Sequence, residues 1–202
     1  MASVSRNALF NSNRMKLGTF CTNTVNATTL APEMTLPSWD ACIEAARMAD
    51  TAGFEAITPI ARWKGYVDND PDHVSHQIME AFTFAAAIAQ ATTYSTVFAT
   101  THAPTIHPVA IAKMAATIDH ISGGRFALNV VGGWNRREFD MFGIDLLGHD
   151  ERYVYLAEWV QLLKRLWTGE EFDHHSHYFK MKAALARPRP VQQGGIPIMN
   201  AG

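Results

Sequence analysis

Asn129 is a polar residue in the middle of an apolar, β-type run, Phe126–Val131, and the residues after it are rich in ligand-binding groups. The run opens into Gly132-Gly133-Trp134 and a loop carrying Arg136, Arg137 and Glu138. It closes at Asp150-Glu151-Arg152-Tyr153, where a helix is predicted to begin, with Asp150 as its N-cap. An amide inside a strand needs hydrogen-bond partners. Paired glycines let backbone come close to a ligand. Trp134 and Tyr153 offer flat faces, and arginine offers a fork that suits phosphate. Together these groups suit something large, flat and polar, a description that a flavin meets. In a barrel of alternating strands and helices, the loop after a strand is where ligands sit.

Other candidates lie at the ends of neighbouring β-type runs. Thr100 ends the third run, and His102 and His107 follow it. Ala61, Arg62, Trp63 and Lys64 follow the second. Each has a plain structural alternative: a satisfied core asparagine, a threonine chosen for β propensity, a solvated loop arginine, a helix-start charge at Glu138 or a capped helix start at Arg152-Tyr153. The run Asp173-His174-His175-Ser176-His177 places histidines two apart, on one face of a strand. With no cysteine or other structured ligand nearby, it reads as solvated surface. Gly123-Gly124 reads as a helix stop, and Gly132-Gly133 is not the dinucleotide fingerprint GxGxxG.

The elements that must position these residues alternate. Strands are predicted at Lys16–Cys21, Phe54–Thr58, Tyr94–Thr100, Phe126–Val131 and Ile196–Ala201. Helices are predicted from Pro37-Ser38 to Gly53, over Gln77–Thr92, from Pro108 to Ile121 and from Arg152 to Trp167. Ser38 makes a fair N-cap, Gly53 a C-terminal stop, and Pro108 fits a first turn. Asp173–Met181 reads as a β excursion. Strand starts 30–40 residues apart imply βα units and a parallel sheet. The fold class is therefore α/β, of the (β/α)8 TIM-barrel type, with four βα units plus a fifth strand. A closed barrel takes about 250 residues, so the chain reads as a C-terminally incomplete barrel domain over 15–202. Residues 1–14 read as a disordered N-terminal tail.

Composition narrows the class. The chain has 202 residues, 48% hydrophobic and 18% charged, with a formal net charge of −2. Near-neutral charge argues against nucleic acid as a partner, because phosphate binding leaves a basic footprint. No apolar run is long enough to span a membrane. Cys21 and Cys42 show no CxxC spacing, and the N-terminus has no secretory apolar region. A reducing, cytoplasmic setting is expected.

Met15–Cys21 (MKLGTFC), the run ATTHAPTIHPVAIAKMAATIDHISGGRFALNVVGGW from Ala99 and EFDMFGIDLLGHDERYVYLAEWVQLLKRLW from Glu138 resemble the bacterial luciferase-like flavin monooxygenases. They are most similar to the branches acting on pyrimidines, alkanesulfonates and dimethylsulfone. The ATIDHISGGRFALNVVGGW core and the DERY motif carry the specificity of this likeness. The resemblance implies a TIM barrel that uses reduced FMN, supplied by a separate NAD(P)H:flavin reductase, together with O2. It implies cofactor contacts at Ala61, Arg62, Asn129, Glu138, Arg152 and Tyr153, and an oxygen pocket formed by Asn129 and Thr100. Trp63, His102 and Trp134 are candidate substrate contacts.

Three readings follow. The first is a two-component FMN-dependent monooxygenase acting on a small polar compound, either a nitrogen heterocycle or an organosulfur molecule. The second is a deazaflavin-dependent oxidoreductase of the same superfamily. The third is an inactive half-barrel. An unfinished parallel sheet argues for a homo-oligomer.

Overall fold

The computed structural model describes residues 6–24 and 36–201. Strand β1 (Gly18–Phe20) leads to helix α1 (Trp39–Thr51), β2 (Ala56–Thr58), α2 (Ala81–Ala91), β3 (Thr96–His102), α3 (Pro108–Ser122) and β4 (Phe126–Val131). A short helix α4 (Arg136–Phe142) and a long α5 (His149–Trp167) follow, then an antiparallel hairpin of β5 (Phe172–His175) and β6 (Lys180–Ala184), and finally β7 (Ile198–Asn200). The five main strands form one sheet in the order β1-β2-β3-β4-β7, and every neighbouring pair is parallel. This is the four-unit-plus-strand architecture that the alternation implied.

The sheet has two distinct faces. Ile57, Val97, Ala99, Phe126, Leu128 and Val130 pack into the core beneath the helices. Side chains alternate along a strand. Ala56, Thr58, Thr96, Phe98, Thr100, His102, Ala127 and Asn129 therefore lie on the opposite, inner face of the sheet. Helix α5 covers the helix-side core with Leu156, Trp159, Leu163 and Leu166, a three-to-four-residue apolar period.

Local chemistry explains most helix ends. Ser38 Oγ accepts from the Ala41 amide, as an N-cap should. Pro108 opens α3, and Gly123 closes it at φ 63°, in the left-handed region that glycine tolerates.

Several boundaries differ from the sequence reading. Strand three begins at Thr96, not Tyr94, because the Asp50 carboxylate takes the amides of Thr93, Tyr94 and Ser95 at 2.7–3.0 Å. Those donors are spent on a turn. The strand then runs on to His102, so Thr100 lies two residues inside it and His102 is its last residue, not a loop residue. Helix α2 begins at Ala81 because Glu80 caps the Phe82 and Thr83 amides. Helix α5 begins at His149 after Gly148, so Asp150 lies in its first turn and is not the N-cap.

The tail assignment needs correction for residues 6–14. Asn7 is 1% exposed. Its Oδ1 accepts from Thr96 Oγ1 at 2.6 Å, and its Nδ2 donates to Gln192 Oε1 at 3.2 Å. Glu55 Oε1 accepts from the side-chain amides of Asn11 and Asn13, and Oε2 from the Leu17 backbone. Polar residues here satisfy the open strand ends at the base of the sheet. Residues 1–5 of the expected tail lie outside the described residues.

Candidate active site

The C-terminal ends of β2, β3 and β4 form one rim. At its centre Thr100 and Asn129 face each other in register. Thr100 Oγ1 donates its only proton to the Pro59 carbonyl at 2.6 Å. It can therefore only accept from Asn129, whose Nδ2 lies 3.2 Å away. That fixes the amide orientation and leaves Asn129 Oδ1 buried without a hydrogen-bond partner among the described residues. A buried acceptor left this way costs about 1–3 kcal/mol unless something donates to it.

Glu138 organises the rest of the rim from below. It is fully buried on α4. Oε1 accepts from the Trp63 amide at 2.9 Å and the Lys64 amide at 3.4 Å, and lies 3.4 Å from Arg62 Nε. Oε2 is 3.0 Å from His102 Nδ1, an ion-pair contact outside straight hydrogen-bond geometry. Burial pushes this carboxyl up. The His102 ring and the two backbone amides outweigh burial and hold it below the usual carboxylate range. The oxygens of Glu138 point into protein, toward the loop after β2.

Arg62 lies between two kinds of partner. Its guanidinium carbon is 4.4 Å from the Tyr66 ring centre and 5.3 Å from that of Trp134, and these two rings stack at 6.1 Å. Its Nη1 is buried with no hydrogen bond among the described residues. Trp63 packs edge-on against Phe142. Arg137 clips the same loop by bonding the Tyr66 carbonyl and Asp68, and Asn135 Nδ2 bonds the Lys64 carbonyl.

On α5 the Arg152 guanidinium donates to the Gly133 carbonyl, while its Nε is buried and unpaired among the described residues. Tyr153 is half exposed, beside the His149 ring. Packing explains only the second glycine of the pair. Gly133 has φ 80°, and a Cβ there would sit 2.5 Å from Phe139 Cζ, whereas a Cβ on Gly132 would meet only Arg152 at 3.8 Å.

A small cleft of about 110 Å³, open at its mouth, gathers Ala61, Arg62, Trp63, Thr100 and His102, with Ile78, Met79, Phe82 and Ile106 as its apolar wall. Asn129 lies on the adjoining inner face. Trp134, Arg152 and Tyr153 do not line this cleft. Sequence reasoning missed His76, which fixes the rim loop by accepting from the Gly65 amide at 3.0 Å and bonding the Val67 carbonyl at 2.8 Å. It also missed Asn23, which ties the Ile60 and Met79 backbones together. Both act on backbone from a distance, and no local spacing marks them.

Residues 15–202 match the family described as luciferase-like monooxygenase. The chain belongs to that family. It is 33% identical over 195 residues to the pyrimidine monooxygenase RutA of Acinetobacter baylyi, a match covering 93% of this chain and 51% of that protein. In three dimensions it is similar to a riboflavin lyase solved with modified FMN and riboflavin (TM-score 0.79, 22% identity), covering 94% of this chain and 50% of that one. It is also similar to the oxygenating constituent of 3,6-diketocamphane monooxygenase from Pseudomonas putida, solved with FMN (TM-score 0.70, 19% identity), covering 92% and 51%. The chain thus spans about half the length of the relatives it matches. Among the described residues no helix is long and apolar enough to cross a membrane, and no group of three or more metal-binding side chains is gathered. In the histidine run, His174 Nε2 pairs with Glu158 at 2.7 Å.

The rim residues fit a flavin. Asn129 offers a spare acceptor, and Arg62 and Arg152 offer spare donors. A flavin ring with its phosphate tail carries both kinds of complementary group.

Proposed function

We propose that this chain supplies the first half of the active-site rim of a two-component, FMN-dependent monooxygenase. Reduced FMN would come from a separate NAD(P)H:flavin reductase, and O2 would be the co-substrate. The substrate would be a small polar compound, a nitrogen heterocycle or an organosulfur molecule; the likeness to a pyrimidine monooxygenase favours the heterocycle. The observation that carries this reading is the unspent Asn129 oxygen beside Thr100, on the strand rim of a luciferase-like chain.

The bound cofactor supplies the redox chemistry with O2. The protein's part is positioning and exclusion of water. Asn129 Oδ1 would accept a hydrogen bond from the flavin. Arg152 lies near the backbone of the β4 loop and offers its guanidinium to anionic or carbonyl oxygen. Arg62, backed by Tyr66 and Trp134, presents a cation at the cleft mouth. The apolar wall of Ile78, Met79, Phe82 and Ile106 keeps the substrate side dry.

The test mixes anaerobically reduced FMN with this chain, and with this chain continued through the C-terminal half of a family barrel, then admits O2. Oxygenated pyrimidine or organosulfur product, dependent on O2 and on FMN, is the expected result. Consumption of a reduced deazaflavin without O2 would place the chain in the hydride-transfer branch. Absence of flavin binding by both proteins in a fluorescence titration would remove the proposal.

A further inference from the structure

Glu138 is the most completely buried carboxylate at the rim, yet it reaches no surface where a ligand could sit. Its partners are the Trp63 and Lys64 amides, Arg62 and His102, which come from two different strand ends. The loop from Ala61 to Tyr66 has few other ties: Gly65 to His76, Tyr66 N–H to Ser75, Lys64 O to Asn135 and Tyr66 O to Arg137. None of these reaches the Arg62 side chain. Glu138 is the carboxylate beside that side chain, at 3.4 Å from Nε.

We infer that Glu138 is a positioning residue: it fixes the Ala61–Tyr66 loop so that the Arg62 guanidinium is held between Tyr66, Trp134 and the cleft, and it influences flavin binding only through Arg62. This rests on the proposed FMN site. The geometry supports it in three ways. Oε1 bonds the two amides that immediately follow Arg62, so the carboxylate sets the backbone direction from which Arg62 projects. The ion-pair contact restrains the inner end of the guanidinium while leaving Nη1 unspent. The His102 contact anchors the carboxylate to the end of β3, so the loop is registered to the strand that carries Thr100. A short charged anchor on a helix is a stiffer support than a loop can give itself.

A double-mutant cycle with a cofactor-independent control tests this. In the first arm, amide hydrogen exchange is measured on the cofactor-free chain and on Glu138→Gln, an isosteric change that keeps one acceptor. Trp63 and Lys64 should exchange roughly tenfold faster, because their acceptor changes from a charged to a neutral oxygen, while the β3 amides stay as in the parent. Unchanged Trp63 and Lys64 exchange overturns the inference, and so does equal acceleration throughout β3, which would mean general loosening.

The second arm measures FMN dissociation constants for the parent, Glu138→Gln, Arg62→Ala and the double variant, all in the barrel-completed protein. Glu138→Gln should weaken binding roughly tenfold in the parent and less than twofold when Arg62 is already absent, because coupled residues are non-additive. Equal weakening in both backgrounds means that Glu138 meets the flavin directly and overturns the inference. If no form binds FMN, the proposed function fails, and the exchange arm still decides whether Glu138 holds the loop.

Discussion

At the residue scale the site turns on one proton. Thr100 gives its hydroxyl proton to Pro59, which forces Asn129 to present its amide nitrogen sideways and its oxygen outward. Thr100→Val should therefore act on both. It strips the Pro59 carbonyl of its donor and the Asn129 amide of its acceptor, for a cost of about 1–3 kcal/mol in a urea unfolding experiment. Asn129→Ala should leave FMN bound but lower oxygenated product per reduced FMN consumed by roughly tenfold or more, as loss of a fixed dipole in an active site does. Product yield equal to the parent's would end the oxygen-positioning role of Asn129. Asn129 was legible in the sequence because an amide inside FALNVV conflicts with its neighbours. The burial of Glu138 was not. In RREF a glutamate beside two arginines reads as a solvated helix start, and only the packing of α4 under the β2 loop turns it inward.

At the element scale, strand and helix types were legible from periodicity, while ends were decided by carboxylates that take up backbone amides. Asp50 delays β3 and Glu80 delays α2. Asp50 has no target in its own window of sequence, whereas Glu80 caps the amides two and three residues on. The N-terminal segment shows the same limit: its asparagines look like a tail by composition and act as connectors in space. Its anchor, Glu55, is held down at about 2 by the Asn13 side chain first, then by the Leu17 amide and Asn11. A folded value below the ordinary 4.5 means that the latch adds stability above pH 4.5 and loses it as pH falls from there toward 2. Exchange at the Leu17 amide should accordingly rise between pH 4.5 and 2.5 beyond the intrinsic rate. Glu55→Gln should show fast exchange at every pH, with the acid-dependent rise gone. A pH-independent protection factor in the parent would show that the carboxylate is not what fastens the segment.

At the scale of the whole molecule, the described sheet has a covered centre and bare margins. Phe98 and Ala127, mid-sheet on the inner face, are buried. Phe20 on β1 and Met199 on β7 occupy the same face and are 66% and 39% exposed. Among the described residues both are edge strands, and each presents backbone groups that no other described strand pairs, as well as wet apolar surface. Parallel strands are stable when both faces are covered, and each Å² of apolar surface left in water forgoes about 25 cal/mol. The 202-residue polypeptide should therefore self-associate through these margins. Sedimentation velocity should show a mass that rises with concentration, and Phe20→Lys with Met199→Lys should shift it toward the monomer. Joining the chain to the C-terminal half of a family barrel should cover the same strands, abolish the concentration dependence and tighten FMN binding together. A parent chain that stays monomeric at all concentrations, melts cooperatively and binds FMN as tightly as the joined barrel would contradict this account, because the inner face would then need no neighbour.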